Sequence, residues 1–385
     1  MAQLDRASGF EPEGWVFNSP QAQKNMYKSS QLDLPLHYGK APKWLFDRMV
    51  KLSRYISEAI IIEFGRDYFL RQLSNAFWFQ SLGCALGFDW HSSGLTTTTC
   101  FALKKAFSDL KVYGIFFCGG KGKASRKTPD EIKIISEKLN FNPTDLIYTS
   151  KIVAKIDNNA LCDGFNLYHH TFVFTEDKKW IVIQQGMSEK GNWARRYHWS
   201  SFDLSSYISS PHSDITSDNF FITLNLVDKD IDKTQNLIAE LSYRDPIKNI
   251  KDFCLLKNNT EKLPSRHRVF IEDINPKFLE KIFLKTYEKK PKDFQELIAL
   301  DGVGSKTLRA LALISDLIYG ANLSFRDPAR YSFCHGGKDG YPYRIKLSDY
   351  DNTIDILAKI INKAKLDKSE KISALRRLYR FYNKH

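Results

Sequence analysis

The stretch LIALDGVGSKTLRALALI, residues 297–314, sets two apolar helical runs around a Gly-Val-Gly turn. Gly302 and Gly304 permit backbone angles and close approaches denied to other residues. The second helix is expected to begin near Ser305, where its first amides have no partner within the helix. Those amides and the helix dipole together favour an anion, which makes Gly302, Val303, Gly304, Ser305 and Thr307 a candidate phosphate-binding mouth. Contacts of this kind fix a protein on a nucleic acid without reading its sequence.

The charge balance agrees. Lys and Arg number 57 against 44 Asp and Glu, a formal charge of +13 with a pI near 9.2. Such an excess favours a polyanionic partner, of which nucleic acid is the commonest, and DNA is the partner expected here. At 385 residues with 43% hydrophobic side chains, the chain has material for more than one unit. The six cysteines include no C-x-x-C pair, which speaks against zinc ribbons and fingers. No apolar stretch approaches the roughly 18–20 residues of a membrane span, and the N-terminus has no signal-like apolar core; a cytoplasmic protein is expected.

Outward from the opening stretch, runs at 232–243, 276–289, 293–300, 305–320, 353–365 and 369–384 all carry three-to-four apolar spacing. Residues 216–385 are therefore expected to form an all-α domain with the helix–turn–helix at 293–319, and 256–269 to form a loop rich in basic residues. Residues 26–215 read as an α+β domain. Trp44, Leu45, Met49, Leu52, Ile56 and Ile60 mark a first helix after Pro42. A strand follows at VYGIFFCGGKG, then a helix over 128–139 opened by a Thr128–Glu131 capping box, then a β-hairpin near 163–187 turning at 176–179. Residues 1–25 show neither period; they resemble translated transfer-RNA gene sequence and read as a non-native or disordered leader, with Met26 the expected start.

The densest polar groups lie in CDGFNLYHHTFVF and WIVIQQGMSEKGNWARRYHW. Period two puts Asp163, Phe165, Leu167 and His169 on one face and Tyr168, His170, Phe172 and Phe174 on the other. Asp163, His169, His170 and Gln185 suit a divalent metal for phosphodiester hydrolysis, but also a grip on DNA backbone or on an extruded base; the metal itself is not specified. Arg195 and Arg196, interleaved with Trp193, Tyr197 and Trp199, suit phosphate contacts and base stacking, with ordinary core packing as the alternative. Lys121, Lys123 and Arg126 in CGGKGKASRKTP are expected to contact phosphate as well; the glycine spacing is not that of a nucleotide-binding P-loop.

L-x-x-L-x-G-V-G-x-K-T resembles the helix-hairpin-helix motif of DNA glycosylases, polymerases and several nucleases, with Asp301 where proline is most common. The expected fold is thus an α+β N-terminal domain followed by an all-α helix-hairpin-helix domain. Strand-cutting members of the glycosylase superfamily carry a lysine two residues after the second hairpin glycine, the place of Lys306, and an aspartate beyond the second helix, for which FRDPARYSF supplies Asp327. The resemblance implies a damaged-base glycosylase and abasic-site lyase in which Lys306 forms a Schiff base with the sugar while Asp327 stabilises charge and accepts the proton, with no cofactor required. The amine must be neutral to attack. Two alternatives stand beside it: a metal-dependent nuclease with its site in the N-terminal domain, and a non-catalytic DNA binder. Protein partners are not specified. Over nearly everything after Met26, LPLHYGKAPKWLF, GGKGKASRKTP, DGFNLYHH, ARRYHW and RDPARYSFCHGGKDG resemble a family of unknown function found in archaea and bacteria.

Overall fold

The apolar spacing of the first helix is realised in α1 (Lys43–Phe64), which buries Met49, Leu52, Ile56 and Ile60 along one stripe. The computed structural model describes residues 43–88, 94–109, 113–188, 193–216, 222–329 and 347–382, so the leader expected at 1–25 and the start at Met26 lie outside the described residues. After α1 come α2 (Arg66–Leu73), α3 (Ala76–Leu86) and α4 (Gly94–Asp109). Then follow β1 (Ile115–Lys121), a single turn α5 (Lys123–Arg126), α6 (Thr128–Lys138) and α7 (Thr144–Lys155). The chain leaves α7 through a π-helical turn (Ile156–Ala160) into β2 (Leu161–Cys162), β3 (Phe165–Thr175), β4 (Trp180–Ser188), β5 (Ala194–Ser200), β6 (Asp214–Thr216) and β7 (Leu224–Asn225). Helices complete it: α8 (Asp232–Ser242), α9 (Pro246–Asn258), α10 (Ser265–Ile271), α11 (Pro276–Lys289), α12 (Phe294–Ala299), α13 (Ser305–Leu317), α14 (Leu347–Lys363) and α15 (Lys368–Tyr382). Helix and sheet are thus mixed. Among the described residues, no helix is long and apolar enough to cross a membrane.

The main sheet runs β1-β3-β4-β5-β6 with every pair antiparallel, and β2 pairs separately with β7. Both faces of the sheet are covered. Ile115, Phe117, Val173, Ile181 and Ile183 pack into a core with α1–α4, α14 and α15. Cys118, Phe172, Phe174, Val182 and Trp199 face the opposite core, built with α6–α13. Strands buried on both sides carry continuous apolar runs, and polar groups on them must find partners inside the protein. Both cores draw residues from either side of residue 216, and all the described elements belong to the unit Leu32–His385.

Three local expectations change. The capping box does not form: the turn of α5 carries the chain into α6 through Lys127 at φ −86°, and Glu131 instead accepts from Gly119 N at 2.7 Å and Lys104 Nζ at 2.6 Å. Residues 256–269 are more ordered than a loop, because α9 runs to Asn258 and Pro264 leads directly into α10. The ladder between β3 and β4 slips at Tyr168, where Leu167 pairs with Gly186 but His169 with Gln185. This bulge adds one residue to β3 and moves everything after it to the other face. His169 therefore shares a face with Gln185, and His170 takes the face of Phe165 and Leu167, opposite to a simple period-two count.

Gly119 in β1 sits at φ +87°, and a Cβ there would lie 2.2 Å from the main-chain oxygen of His170. Gly119→Ala is expected to cost about 3 kcal/mol, from the strained φ and the overlap with an immovable carbonyl. Denaturant unfolding checks this; a loss below about 1 kcal/mol, or a gain of the kind a tolerated Gly→Ala brings, means that β1 is free to shift away.

Candidate functional site

The turn between α12 and α13 is built from both ends. Asp293 caps α12 by accepting from Glu296 N at 2.7 Å, and Glu296 accepts in return from Lys292 N. Val303 is buried and pins the turn to the core, while the glycines on either side stay near the surface. They do different things. Gly302 holds φ +91°, a region that favours glycine, and a Cβ on it would meet Ile282 at 3.3 Å. Gly304 is extended (φ −124°, ψ −179°), which any residue adopts, and a Cβ on it would meet nothing within 4 Å. Neither conformation nor packing requires a glycine at 304. What it leaves is an unobstructed approach to the start of α13, where no side chain caps the helix.

Among the residues expected to contact phosphate there, Ser305 is half-buried with its hydroxyl 3.7 Å from Cys162 Sγ, and Thr307 is buried, its amide bonded to Gly304 O. Lys306 is exposed. Its Nζ lies 3.0 Å from Asp273 O and 3.4 Å from Asp273 Oδ2, and Arg309 bonds the same carboxylate at 2.9 Å. Burial would raise the Asp273 pKa, but Arg309 and Lys306 together hold it below the usual carboxylate value. Asp273 is thus the carboxylate beside Lys306, and no motif spacing singled it out.

Asp327 is engaged elsewhere. The Arg195 fork holds it at 3.1 and 2.7 Å and holds Asp163 at 2.9 Å. Tyr197 donates to Asp163 at 2.8 Å, the Phe165 and Ala329 amides donate to the two carboxylates, and the guanidinium lies 4.9 Å from the Phe165 ring centre. All three charged side chains are at most 3% exposed. Burial pushes the Asp163 carboxyl up to about 6 against the opposing pull of Arg195, whereas the two aspartates keep Arg195 firmly protonated despite its own burial.

The remaining polar candidates also turn inward. Arg196 is fully buried and donates to His198, Gln80, Thr96 and Ala76 O, stacked over Phe79. Strand alternation thus places both Arg195 and Arg196 inside, one on each face of the sheet, which leaves neither on a surface that phosphates or bases could reach and agrees with the core-packing alternative. Tyr197 and Trp199 belong to the cores as well. His170 bonds Ser150 at 2.9 Å and Gln184 at 2.8 Å; Gln184 in turn donates to Asp157, which also receives Trp199 Nε1 at 2.9 Å and meets His212. This hub sits on the π-helical turn, whose place the sequence does not announce. Burial lowers the His170 pKa and drives that of His169 down to about 3. Asp163, His169, His170 and Gln185 do not converge, because the bulge parts His169 and Gln185 from His170 and from the Asp163 cluster. Among the described residues, no three His, Cys, Asp or Glu side chains are grouped to hold a metal ion. Lys121, Lys123 and Arg126 are exposed around the α5 turn, with Lys121 5.7 Å from the Tyr168 ring centre.

A family model described as a protein of unknown function (DUF763) matches residues 30–345. No curated protein and no solved structure matches the chain.

Proposed function

The chain belongs to the DUF763 family, whose description carries no activity, and from its own geometry we propose that it binds the phosphate backbone of DNA through the turn at 302–305 and the N-terminus of α13. On this reading α12 and α13 form a helix-hairpin-helix, and the protein acts where DNA is handled or repaired. Gly304 carries the reading: a glycine that neither its backbone angles nor its packing demands, at the uncapped mouth of a 13-residue helix. Such a position suits the close approach of a phosphate to main-chain amides. The exposed ammonium of Lys306 and the net charge of +13 act in the same direction.

The test is titration of a fluorescently labelled duplex with the whole protein at several salt concentrations. The expected result is binding whose log K falls linearly with log salt, by about 0.9 per phosphate neutralised. Absent or salt-independent binding defeats the proposal.

A second reading has a specific support, the placement of an accessible amine beside a carboxylate at that same mouth. It makes Lys306 the Schiff-base amine of a glycosylase or abasic-site lyase, with Asp273 rather than Asp327 as the nearby proton acceptor. Borohydride trapping on an abasic duplex is then expected to yield a covalent adduct that Lys306→Ala abolishes and Asp273→Asn reduces. An undiminished adduct with Lys306→Ala excludes this assignment.

A further inference from the structure

The carbonyls of the turn are as informative as its amides. The end of a helix leaves carbonyls without intrahelical partners, and α12 is only six residues long. Lys155, the last residue of α7, reaches across and donates to Ala299 O at 2.7 Å and Leu300 O at 2.8 Å. Lys285 from α11 donates to Asp301 O. Two ammonium groups from separate helices therefore hold three successive carbonyls. Because a trans peptide is planar, with its N–H directed opposite to its C=O, fixing the Leu300 and Asp301 carbonyls turns the Asp301 and Gly302 amides to the other side of the chain. Lys155 is three-quarters covered, and the Asp301 carboxylate, 3.8 Å away, is itself almost wholly exposed. Burial lowers the Lys155 pKa against the pull of Asp301, and the charges of Lys285 and Lys151 lower it further.

We propose that Lys155 is a positioning residue for the phosphate-binding turn: its ammonium, seated on the Ala299 and Leu300 carbonyls, sets the orientation of the loop and keeps a positive charge under it. This inference rests on the DNA-binding reading above and assigns that site a component from a different part of the fold. Lys155 acts through the turn and does not itself meet DNA. It donates to two main-chain oxygens of the turn and pairs with the Asp301 carboxylate, whereas the anion would meet the amides.

The experiment is a double-mutant cycle between Lys155→Met and Gly304→Thr, read as the affinity of the whole protein for a labelled duplex, with thermal unfolding followed in the same buffer. Lys155→Met is expected to weaken binding about tenfold, the scale of a lost preorganised contact. Lys155→Arg, which can still donate to two carbonyls, restores most of it. The double variant is expected to bind about as weakly as the weaker single, since residues acting through one element do not add. Lys155→Gln keeps an N–H donor without the charge, and replaces the Met variant in the cycle should that one fail to fold. Additive losses mean that Lys155 meets DNA independently and overturn the proposal, as does wild-type affinity in Lys155→Met. Failure of the wild-type protein to bind the duplex removes the DNA reading and this inference with it, whereas binding that is indifferent to Lys155 removes this inference alone.

Discussion

Arg195→Met is expected to destabilise the protein by about 3–5 kcal/mol, the cost of leaving buried charge without its partner. The side chain packs against Phe165 and ties Asp163 on the sheet side to Asp327 beyond α13, so its loss strands two carboxylates that are at most 3% exposed. Methionine fills much of the same volume, which keeps cavity formation a minor contribution. Denaturant unfolding at neutral pH measures the loss. Adding Asp163→Asn should recover part of it, because one of the two stranded charges is then gone. A loss under about 1 kcal/mol, the scale of an exposed ion pair, means that the carboxylates find water.

The same cluster has a pH signature with a definite sign. The folded Asp163 carboxyl is raised to about 6 from an ordinary 3.8. A raised folded pKa contributes stability at acid pH that is lost as the pH climbs through the window from about 4 to about 6. Between pH 4.5 and 7.5 that loss amounts to about 2 kcal/mol at 1.36 kcal/mol per pKa unit. Buried His169 and His170 pull the other way, since their lowered values make the fold lose stability as pH falls. Wild type must therefore be compared with Asp163→Asn across the window, a difference in which the histidine contributions cancel. The Asn variant should gain on wild type as the pH rises, and a difference that stays flat contradicts the raised pKa.

What the sequence made legible follows from which interactions are local. The helices at 43–64 and 276–289 are readable because their apolar spacing is their packing. Polar residues of the sheet are harder to place: alternation assigns faces only while the register holds, and a single inserted residue at Tyr168 reverses His169 and His170. Arg195 and Arg196 look like surface cations in ARRYHW, since a sequence shows charge but not the carboxylates and carbonyls that await it. Asp163 lies 32 positions before Arg195 and Asp327 lies 132 after it. Asp273 and Lys155 are illegible on the same ground, because their partners are 33 to 145 positions away and belong to no motif.

The two glycines of the opening stretch look equivalent in the sequence, yet the fold separates them, and that separation is the sharpest handle on function. Gly304→Thr is expected to leave stability within about 0.5 kcal/mol of wild type, since Thr and Gly are comparable N-caps and φ −124° suits a β-branched side chain. Its branched Cβ nevertheless fills the space through which a phosphate would reach the first amides of α13. Duplex affinity should therefore fall tenfold or more, at a cost of about 1.4 kcal/mol per decade. Gly302→Ala should behave in the opposite sense: φ +91° strains any Cβ, at about 1–3 kcal/mol of stability. Unfolding midpoints and duplex titrations on the two variants give four numbers. If Gly304→Thr binds as wild type does, the mouth of α13 is not where DNA sits, and the glycine there is incidental. If it folds normally and no longer binds, the phosphate site is located by a residue whose only distinction is the side chain that it lacks.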